Sequence, residues 1–197
     1  MPRHCGSAAA RHWDFHIKHK TMKEVNKDNN THLSEHLTSS SVAALGNSSK
    51  LDCTRLTLHF TLGELTKTKT GIDNVPNEEQ VENLKRLCRW LERLRKRWND
   101  LYGEGDDPII INSGFRSPEV NKAVGGWAQS NHLTGCAVDI RCVGIEQAIR
   151  YATLLLDISD LNKEDFDELI IERKGYSYWI HFAVRPFGNR RRTNYKR

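Results

Sequence analysis

Two histidines and one aspartate in the second half of the chain are the residues best suited to chemistry. The stretch from Ser130 reads SNHLTGCAVD, so that His132 and Asp139 lie seven residues apart. Asp139 and the later His181 each lie inside an apolar run, AVDI and WIHF. A carboxylate or imidazole there is costly to bury unless it is paired or bound to a metal. A backbone donor or acceptor could also satisfy either residue alone.

Together the three side chains form a donor set that suits zinc. Two imidazoles and one carboxylate leave a fourth tetrahedral position for water, as in catalytic rather than structural zinc sites. Gly135 and Ala137, between the first two donors, are expected to keep the approach to the metal uncrowded. The pattern therefore predicts one zinc ion per chain, bound by His132, Asp139 and His181.

Capping signals and an apolar stripe indicate the helices before the site. Thr61 is followed three residues later by Glu64, the spacing of a capping box. The same spacing joins Asn77 and Gln80 at the start of NEEQVENLKRLCRWLERLRKRWND. A helical period in that stretch predicts one long helix whose core-facing residues are Val81, Leu84, Leu87, Leu91, Leu94 and Trp98.

The remaining elements carry the candidate site. PIIINSGF and CAVDIRC have the composition of buried strands, and FDELIIER with YWIHFAV predicts a hairpin around the turn KGYS. Ser117 and Pro118 begin a short helix that the glycines at 125 and 126 end, and IEQAIRYATLLLD predicts another helix. The sum is an α+β fold in which helices pack on a small, largely antiparallel sheet.

Composition divides the chain into three parts. Residues 1–55 are rich in Asn, Ser, Thr, Lys and His without a sustained apolar period, which predicts a polar, disordered extension. The ordered domain is predicted over residues 56–188, and residues 189–197 form a basic C-terminal tail. The five cysteines are scattered without a CxxC pair, which favours reduced thiols over a disulfide framework. Cys136 is interpreted as a packed side chain, not as a metal ligand.

Charge and hydropathy limit the classes of partner. The net charge of +5 fits an acidic partner, but no zinc finger, RNP motif or aromatic-interleaved basic repeat is present, so nucleic-acid binding is not predicted. No apolar run approaches the ~18 residues of a membrane span. The first residues carry positive charge without an apolar segment, so we expect no secretory signal.

The segments around these residues resemble one family of cell-wall enzymes. SNHLTGCAVD matches the pattern S-x-H-x-x-G-x-A-x-D of the zinc D-Ala-D-Ala carboxypeptidase and L-alanyl-D-glutamate endopeptidase family, which shares its fold with the hedgehog signalling domain. INSGFRSPEVNKAVGG resembles its strand–SGxRSP–helix segment, and FDELIIE with YWIHFAVRP resembles its final hairpin. HFTLGELTKTKTGIDNVPNEEQVENLKRLC is similar to the branch common in phages and prophages. The resemblance covers roughly residues 57–192.

The resemblance implies a role for each matching residue. His132, Asp139 and His181 correspond to the zinc ligands. Arg116 corresponds to the residue that holds the substrate's carboxylate or polarises the scissile carbonyl, two tasks that suit a guanidinium fork. A salt bridge at a helix start is the alternative for Arg116. Ser130 either donates to substrate or makes a local turn bond.

The catalytic acid is where the sequence departs from part of the family. Many members place it three residues before the last histidine, a position that Tyr178 occupies here. A phenol with an ordinary pKa near ~10 is a poor base at neutral pH. Glu172, at the end of FDELIIE, is the better candidate, with Glu168 behind it on the same strand face and an ordinary solvated glutamate as the alternative. Trp179 either lines the pocket or packs in the core.

These features predict a zinc peptidase that hydrolyses peptidoglycan stem peptides, as D-Ala-D-Ala carboxypeptidase or L-Ala-D-Glu-type endopeptidase. The resemblance implies a role in phage or prophage lysis or in wall remodelling. We expect a monomer that is made in the cytoplasm and acts on the wall after release. The alternative is a hedgehog-like zinc-binding module without hydrolytic activity. The argument for it is Tyr178, which stands where many family members have the catalytic acid.

Overall fold

Five strands form one sheet in the computed structural model, which describes residues 53–197. The strands lie in the order β1-β2-β4-β3-β5, and every neighbouring pair is antiparallel except β3 with β5. The predicted α+β class with a mostly antiparallel sheet is therefore confirmed. The strands are β1 Ile111–Ser113, β2 Ala137–Cys142, β3 Glu168–Lys174, β4 Ser177–Ala183 and β5 Arg192–Lys196.

Four α-helices and one 3₁₀ turn complete the described part of the chain: α1 Leu62–Thr66, α2 Glu78–Leu101, α3 Pro118–Ala123, the 3₁₀ turn Asn131–Thr134 and α4 Gly144–Asn162. Both predicted capping boxes are present, at Thr61 and at Asn77. Ser117 caps α3 by accepting the backbone N–H of Val120. Within residues 53–197 every helix is too short or too polar to cross a bilayer.

The two faces of the sheet have different environments. Val138 and Ile140 of β2 and Phe182 of β4 are fully buried in a core shared with α2 and α4, where Phe182 contacts the Trp90 ring at 5.3 Å between centroids. Since side chains alternate between the faces of a strand, Asp139 must project from the opposite face. Helices α2 and α4 therefore cover one face of the sheet, and the other face is left for the site.

The hairpin of β3 and β4 fixes which residues meet on that open face. Asp139 lies opposite His181 in the β2–β4 pair, and His181 lies opposite Ile170 in the β3–β4 pair. Two residues further along, Glu172 lies opposite Trp179. The predicted hairpin is confirmed, and its turn consists of residues 175 and 176.

The strand β5 does not appear among the elements predicted from the sequence. It lies within residues 189–197, the segment predicted as a basic tail, and it pairs in parallel with β3. Its pairing places Arg192 opposite Glu168 and Lys196 opposite Glu172. The predicted extension over residues 1–55 falls outside the described residues except for its last three.

Candidate metal centre

The 3₁₀ turn that carries His132 is fixed by local capping and by helix α2. Ser130 Oγ accepts the backbone N–H of His132 at 3.3 Å, so Ser130 makes the local turn bond, and its contact with substrate stays a prediction. Gly135 ends the turn with φ at 69°, and a Cβ there would lie 2.6 Å from the Gln80 carbonyl oxygen. The sequence interpretation gave this glycine the role of keeping the approach to the metal uncrowded. Its close contact is with α2, where Gln80 Nε2 also donates to the Leu133 carbonyl at 3.0 Å.

The His132 ring is buried and held in one orientation. Only 2% of its surface is exposed, and Nδ1 lies 2.6 Å from the carbonyl oxygen of Gly114. A carbonyl accepts only, so Nδ1 carries a proton and Nε2 is the ring nitrogen that remains for a metal. Within residues 53–197 Nε2 has no hydrogen-bond partner, and it lies 3.3 Å from Asp139 Oδ1. A buried imidazole nitrogen without a hydrogen-bond partner is an available metal ligand.

Asp139 and His181 complete the donor set from adjacent strands. Nδ1 of His181 lies 3.1 Å from Oδ1 of Asp139, the same oxygen that faces His132. The other oxygen, Oδ2, accepts from Arg116 Nη2 at 2.5 Å. Asp139 is 9% exposed. One carboxylate oxygen is therefore directed at both imidazoles, and the arginine fixes the orientation of the carboxylate.

The separations of the three donor atoms fit a tetrahedral zinc ion. One ligand atom from each of His132, Asp139 and His181 lies within 4.8 Å of the other two. Two donors at ~2.0–2.1 Å from a tetrahedral ion are ~3.3–3.4 Å apart. The observed separations from Asp139 Oδ1, 3.3 and 3.1 Å, are close to that value. Together with the unpaired Nε2 of His132, the donor chemistry fits zinc.

Glu168 lies behind His181 and belongs to the same charge network. Its Oε2 is 3.5 Å from His181 Nε2, so the two ring nitrogens of His181 face two carboxylates. Zinc-binding histidines commonly donate their second N–H to a carboxylate, which orients the ring. Nδ1 of His181 therefore faces the donor set, and Nε2 faces Glu168.

The close charges shift the pKa values of the site. Burial alone would raise the pKa of Asp139, but His132 and His181 outweigh it and hold that pKa well below its usual range. Burial lowers the pKa of His181, yet contacts with Asp139 and Glu168 raise it to about 9. His181 in turn lowers the pKa of Glu168. A metal ion that binds through His181 must therefore displace a proton.

Arg116 is held at the mouth of the site by three contacts. Its backbone N–H donates to the His132 carbonyl at 3.1 Å, and its Nε donates to Ser113 Oγ at 2.8 Å. Nη2 reaches Asp139, and no acceptor among residues 53–197 takes a hydrogen bond from Nη1. Arg116 thus contacts a candidate ligand directly, and its substrate contact stays a prediction.

The carboxylates proposed as proton-transfer groups have different surroundings. Glu172 Oε2 accepts from Trp179 Nε1 at 2.8 Å, and neither residue contacts a candidate metal ligand through its side chain among the described hydrogen bonds and ion pairs. Trp179 lines the cleft and is half-buried there. Tyr178 packs against the core on the other face of β4, which places its phenol away from the donor set.

Sequence reasoning missed a buried carboxylate beside the site. Asp167 is fully buried and accepts from Arg190 Nε and Nη2, each at 2.8 Å, while Arg185 Nε lies 3.0 Å from it. Asn131, the residue before His132, also donates to Asp167 at 2.8 Å. This network joins the 3₁₀ turn to the start of β3. The signal in the sequence was limited to the acidic pair in FDEL, because the partners come from distant segments.

The donor set lies at the base of a cleft of about 550 Å³. A groove of about 660 Å³ lies elsewhere, between α2 and residues 184–189, and none of the candidate ligands lines it. We place the candidate active site in the smaller cleft, because it contains the donor set and the side chains predicted to act with it. Its lining includes Arg116, Ser130, His132, Asp139, Glu168, Glu172, Trp179 and His181.

Comparison with known proteins agrees with this geometry. A family model described as Peptidase M15 matches residues 56–181, a range that contains every side chain proposed for the site. No curated protein matches the chain. The family match covers well over half of the 197 residues and includes the complete donor set. The protein therefore belongs to the M15 peptidases, a family of zinc metallopeptidases.

Proposed function

We propose that this protein hydrolyses the stem peptides of peptidoglycan, as a D-Ala-D-Ala carboxypeptidase or an L-Ala-D-Glu-type endopeptidase. One observation carries the proposal. The buried donor set of His132, Asp139 and His181 faces a cleft that also contains a glutamate, Glu172, outside that set. A hydrolytic zinc site requires both, since a purely structural site needs no neighbouring proton acceptor.

The three donors would hold one zinc ion. When bound, zinc acts as a Lewis acid that polarises a peptide carbonyl and makes water acidic enough to attack near neutral pH. Asp139 would bind as a carboxylate, since its lowered pKa keeps it ionised. Glu168 would hold the His181 ring with Nδ1 directed at the metal.

Glu172 is our candidate for the general base and later the general acid. As the base it takes the proton of the attacking water, and as the acid it returns that proton to the leaving amine. The Trp179 N–H donates to Oε2 at 2.8 Å, and the second oxygen, Oε1, has one cationic neighbour, Lys196, at 3.6 Å. Glu168 is less suited to this role, because His181, Arg190 and Arg192 lie within 3.5 Å of it.

Arg116 would bind the substrate through its Nη1 group while Nη2 remains with Asp139. Its planar guanidinium can donate to a substrate carboxylate or to the oxygen of the scissile carbonyl. Ser130, which also lines the cleft, is the second candidate for a substrate contact. The similarity of the N-terminal segments to the phage-type branch further supports a role in lysis or wall remodelling after release of the protein to the wall.

Mass spectrometry of digested muropeptides tests the proposal. We expect zinc-dependent loss of terminal D-Ala or cleavage after L-Ala, and loss of all products with a chelator. His132→Gln should abolish the products, whereas His59→Gln, which removes an exposed histidine outside the cleft, should not. Bound zinc without any product would instead favour the non-hydrolytic zinc module, whose support is the tyrosine at position 178.

A further inference from the structure

The strand β5 forms one wall of the catalytic cleft. Arg192, Asn194 and Lys196 alternate along it and line the cleft, because their pairing with β3 directs them to the same face as Glu168 and Glu172. This strand begins eleven residues after position 181, where the family match ends. It is therefore a feature of this chain that the family match does not describe.

The cleft contains more cations than carboxylates, but most of the cations already have strong protein partners. Five cationic and three acidic side chains line it. Arg116 is bound to Asp139. Arg185 and Arg190 both contact the buried Asp167. These three arginines are held in place by the protein, and of Arg116 only the Nη1 group is left for a ligand.

The two cations of β5 have weaker partners. The Arg192 side chain is 55% exposed and lies 3.3 Å from Glu168, and the Lys196 side chain is 70% exposed and lies 3.6 Å from Glu172. Exposed ion pairs of this kind contribute little to stability. Both side chains therefore keep donors that a negatively charged ligand in the cleft can use.

Their spacing matches an extended peptide. Arg192 and Lys196 are four residues apart on one strand, which is about 13 Å at ~3.3 Å per residue. A substrate lying along β5 would pass both cations with its scissile bond near Glu172, the residue opposite Lys196. A carboxylate one to three residues from that bond, the range that the D-glutamate of the stem peptide occupies in the two proposed cleavages, would then lie between the two cations.

We propose that Arg192 and Lys196 form an anion-binding wall that selects stem peptides by a carboxylate on the peptide branch, separate from the C-terminal carboxylate. This inference rests on the proposed function and names a feature of the substrate. The chemistry is a charge-assisted hydrogen bond from an arginine or lysine to a carboxylate, which a neutral carboxamide cannot replace at equal strength.

A pair of peptides that differ in one group tests the wall. The probes are the stem pentapeptide L-Ala-γ-D-Glu-L-Lys-D-Ala-D-Ala, N-acetylated, with the α-carboxylate of D-glutamate either free or converted to a carboxamide. We expect kcat/KM to be about tenfold higher for the acid in the wild-type, zinc-loaded protein. In Arg192→Gln with Lys196→Gln this acid-to-amide ratio should approach one.

The ratio separates recognition from other effects of these substitutions. If the loss of Lys196 weakens Glu172 as a base, hydrolysis of both peptides slows by the same factor, and this factor cancels in the ratio. Arg197→Gln is the control and is compared with Arg192→Gln and Lys196→Gln made singly, since each removes one positive charge from the same end of the chain and Arg197 does not line the cleft. It should leave the ratio unchanged. If Arg197→Gln and the β5 variants lower the acid-to-amide ratio equally, the preference is a general effect of positive charge, and the proposal is overturned.

Equilibrium binding of both peptides to the chelator-treated full chain keeps the test independent of hydrolysis. We expect tighter binding of the acid by wild type and a loss of this preference in the β5 variants. Equal affinities for the two peptides, or a preference that survives both substitutions, would overturn the wall while the peptidase activity stands. If neither peptide is cleaved, the proposed function fails on these probes, and the binding preference alone shows whether Arg192 and Lys196 recognise the carboxylate.

Discussion

Two glutamates four residues apart on β3 should have separable roles. Glu168 Oε2 lies 3.5 Å from Nε2 of the candidate ligand His181, whereas Glu172 bonds Trp179. Glu168→Gln and Glu172→Gln each remove one negative charge with almost no change of shape. We predict that the first substitution weakens zinc binding and that the second leaves zinc binding intact but removes catalysis.

The geometry sets the size of each effect. Loss of a partner that orients a metal ligand typically reduces metal affinity by ~10–100-fold. The 3.5 Å contact is longer than an ordinary hydrogen bond of ~2.7–3.2 Å, so we expect the lower end, about tenfold. A general base contributes ~10²–10⁴-fold, so Glu172→Gln should lower kcat by at least about 100-fold at saturating zinc.

Two measurements separate the roles. Zinc affinity is measured by competition with a chromogenic chelator, and kcat is measured on a stem peptide at saturating zinc. Glu104→Gln, which removes an exposed carboxylate from the loop after α2, is the control and should change neither quantity. The assignment is refuted if Glu172→Gln keeps kcat within threefold of wild type. If Glu168→Gln binds zinc with wild-type affinity but loses activity at saturating zinc, Glu168 is the general base and the two assignments must be exchanged.

Three further outcomes follow from burial and charge. Burial alone would raise the pKa of Asp167, but hydrogen bonds from Arg190 and Asn131 outweigh burial and lower that pKa. The ionised Asp167 therefore stabilises the fold above the unfolded pKa of ~3.9, and this stabilisation is lost as pH falls through the pKa of the folded state. Between pH 6 and pH 3 the free energy of unfolding, measured by urea titration, should fall less for Asp167→Asn than for wild type. Leu87→Ala, at a fully buried position of α2, should lower the free energy of unfolding by ~2–5 kcal/mol. Leu101→Ala, at a position 55% exposed, should change it by less than ~0.5 kcal/mol, and equal losses in the two variants would contradict the described core. Metal removal should abolish hydrolysis reversibly, with activity restored by zinc, and chelator-resistant turnover would exclude the proposed mechanism.

The sequence could predict what depends on neighbouring residues. The capping box at Asn77 and the apolar stripe of α2 follow from contacts within a few residues, and the structure contains both. The hairpin also follows from alternation and a short turn. The donor set was visible because Asp139 and His181 interrupt apolar strands, where polar side chains need a partner.

The tertiary structure alone decided how these elements meet. The register of β3 and β4 sets Ile170 opposite His181, so that Glu168 contacts this histidine and Glu172 contacts Trp179. Neighbouring positions on one strand face look alike in a sequence, and only the pairing of distant segments distinguishes them.

Two features show the same limit more strongly. The strand β5 has an exposed, polar sequence, and it is ordered through backbone pairing with β3, which has no signature in side-chain composition. Asp167 is buried because Arg185, Arg190 and Asn131 approach it from separate parts of the chain. The sequence therefore determined the helices, the hairpin and the candidate donors. Long-range pairing, which no local pattern encodes, decided the surroundings of each carboxylate and the cationic wall of the cleft.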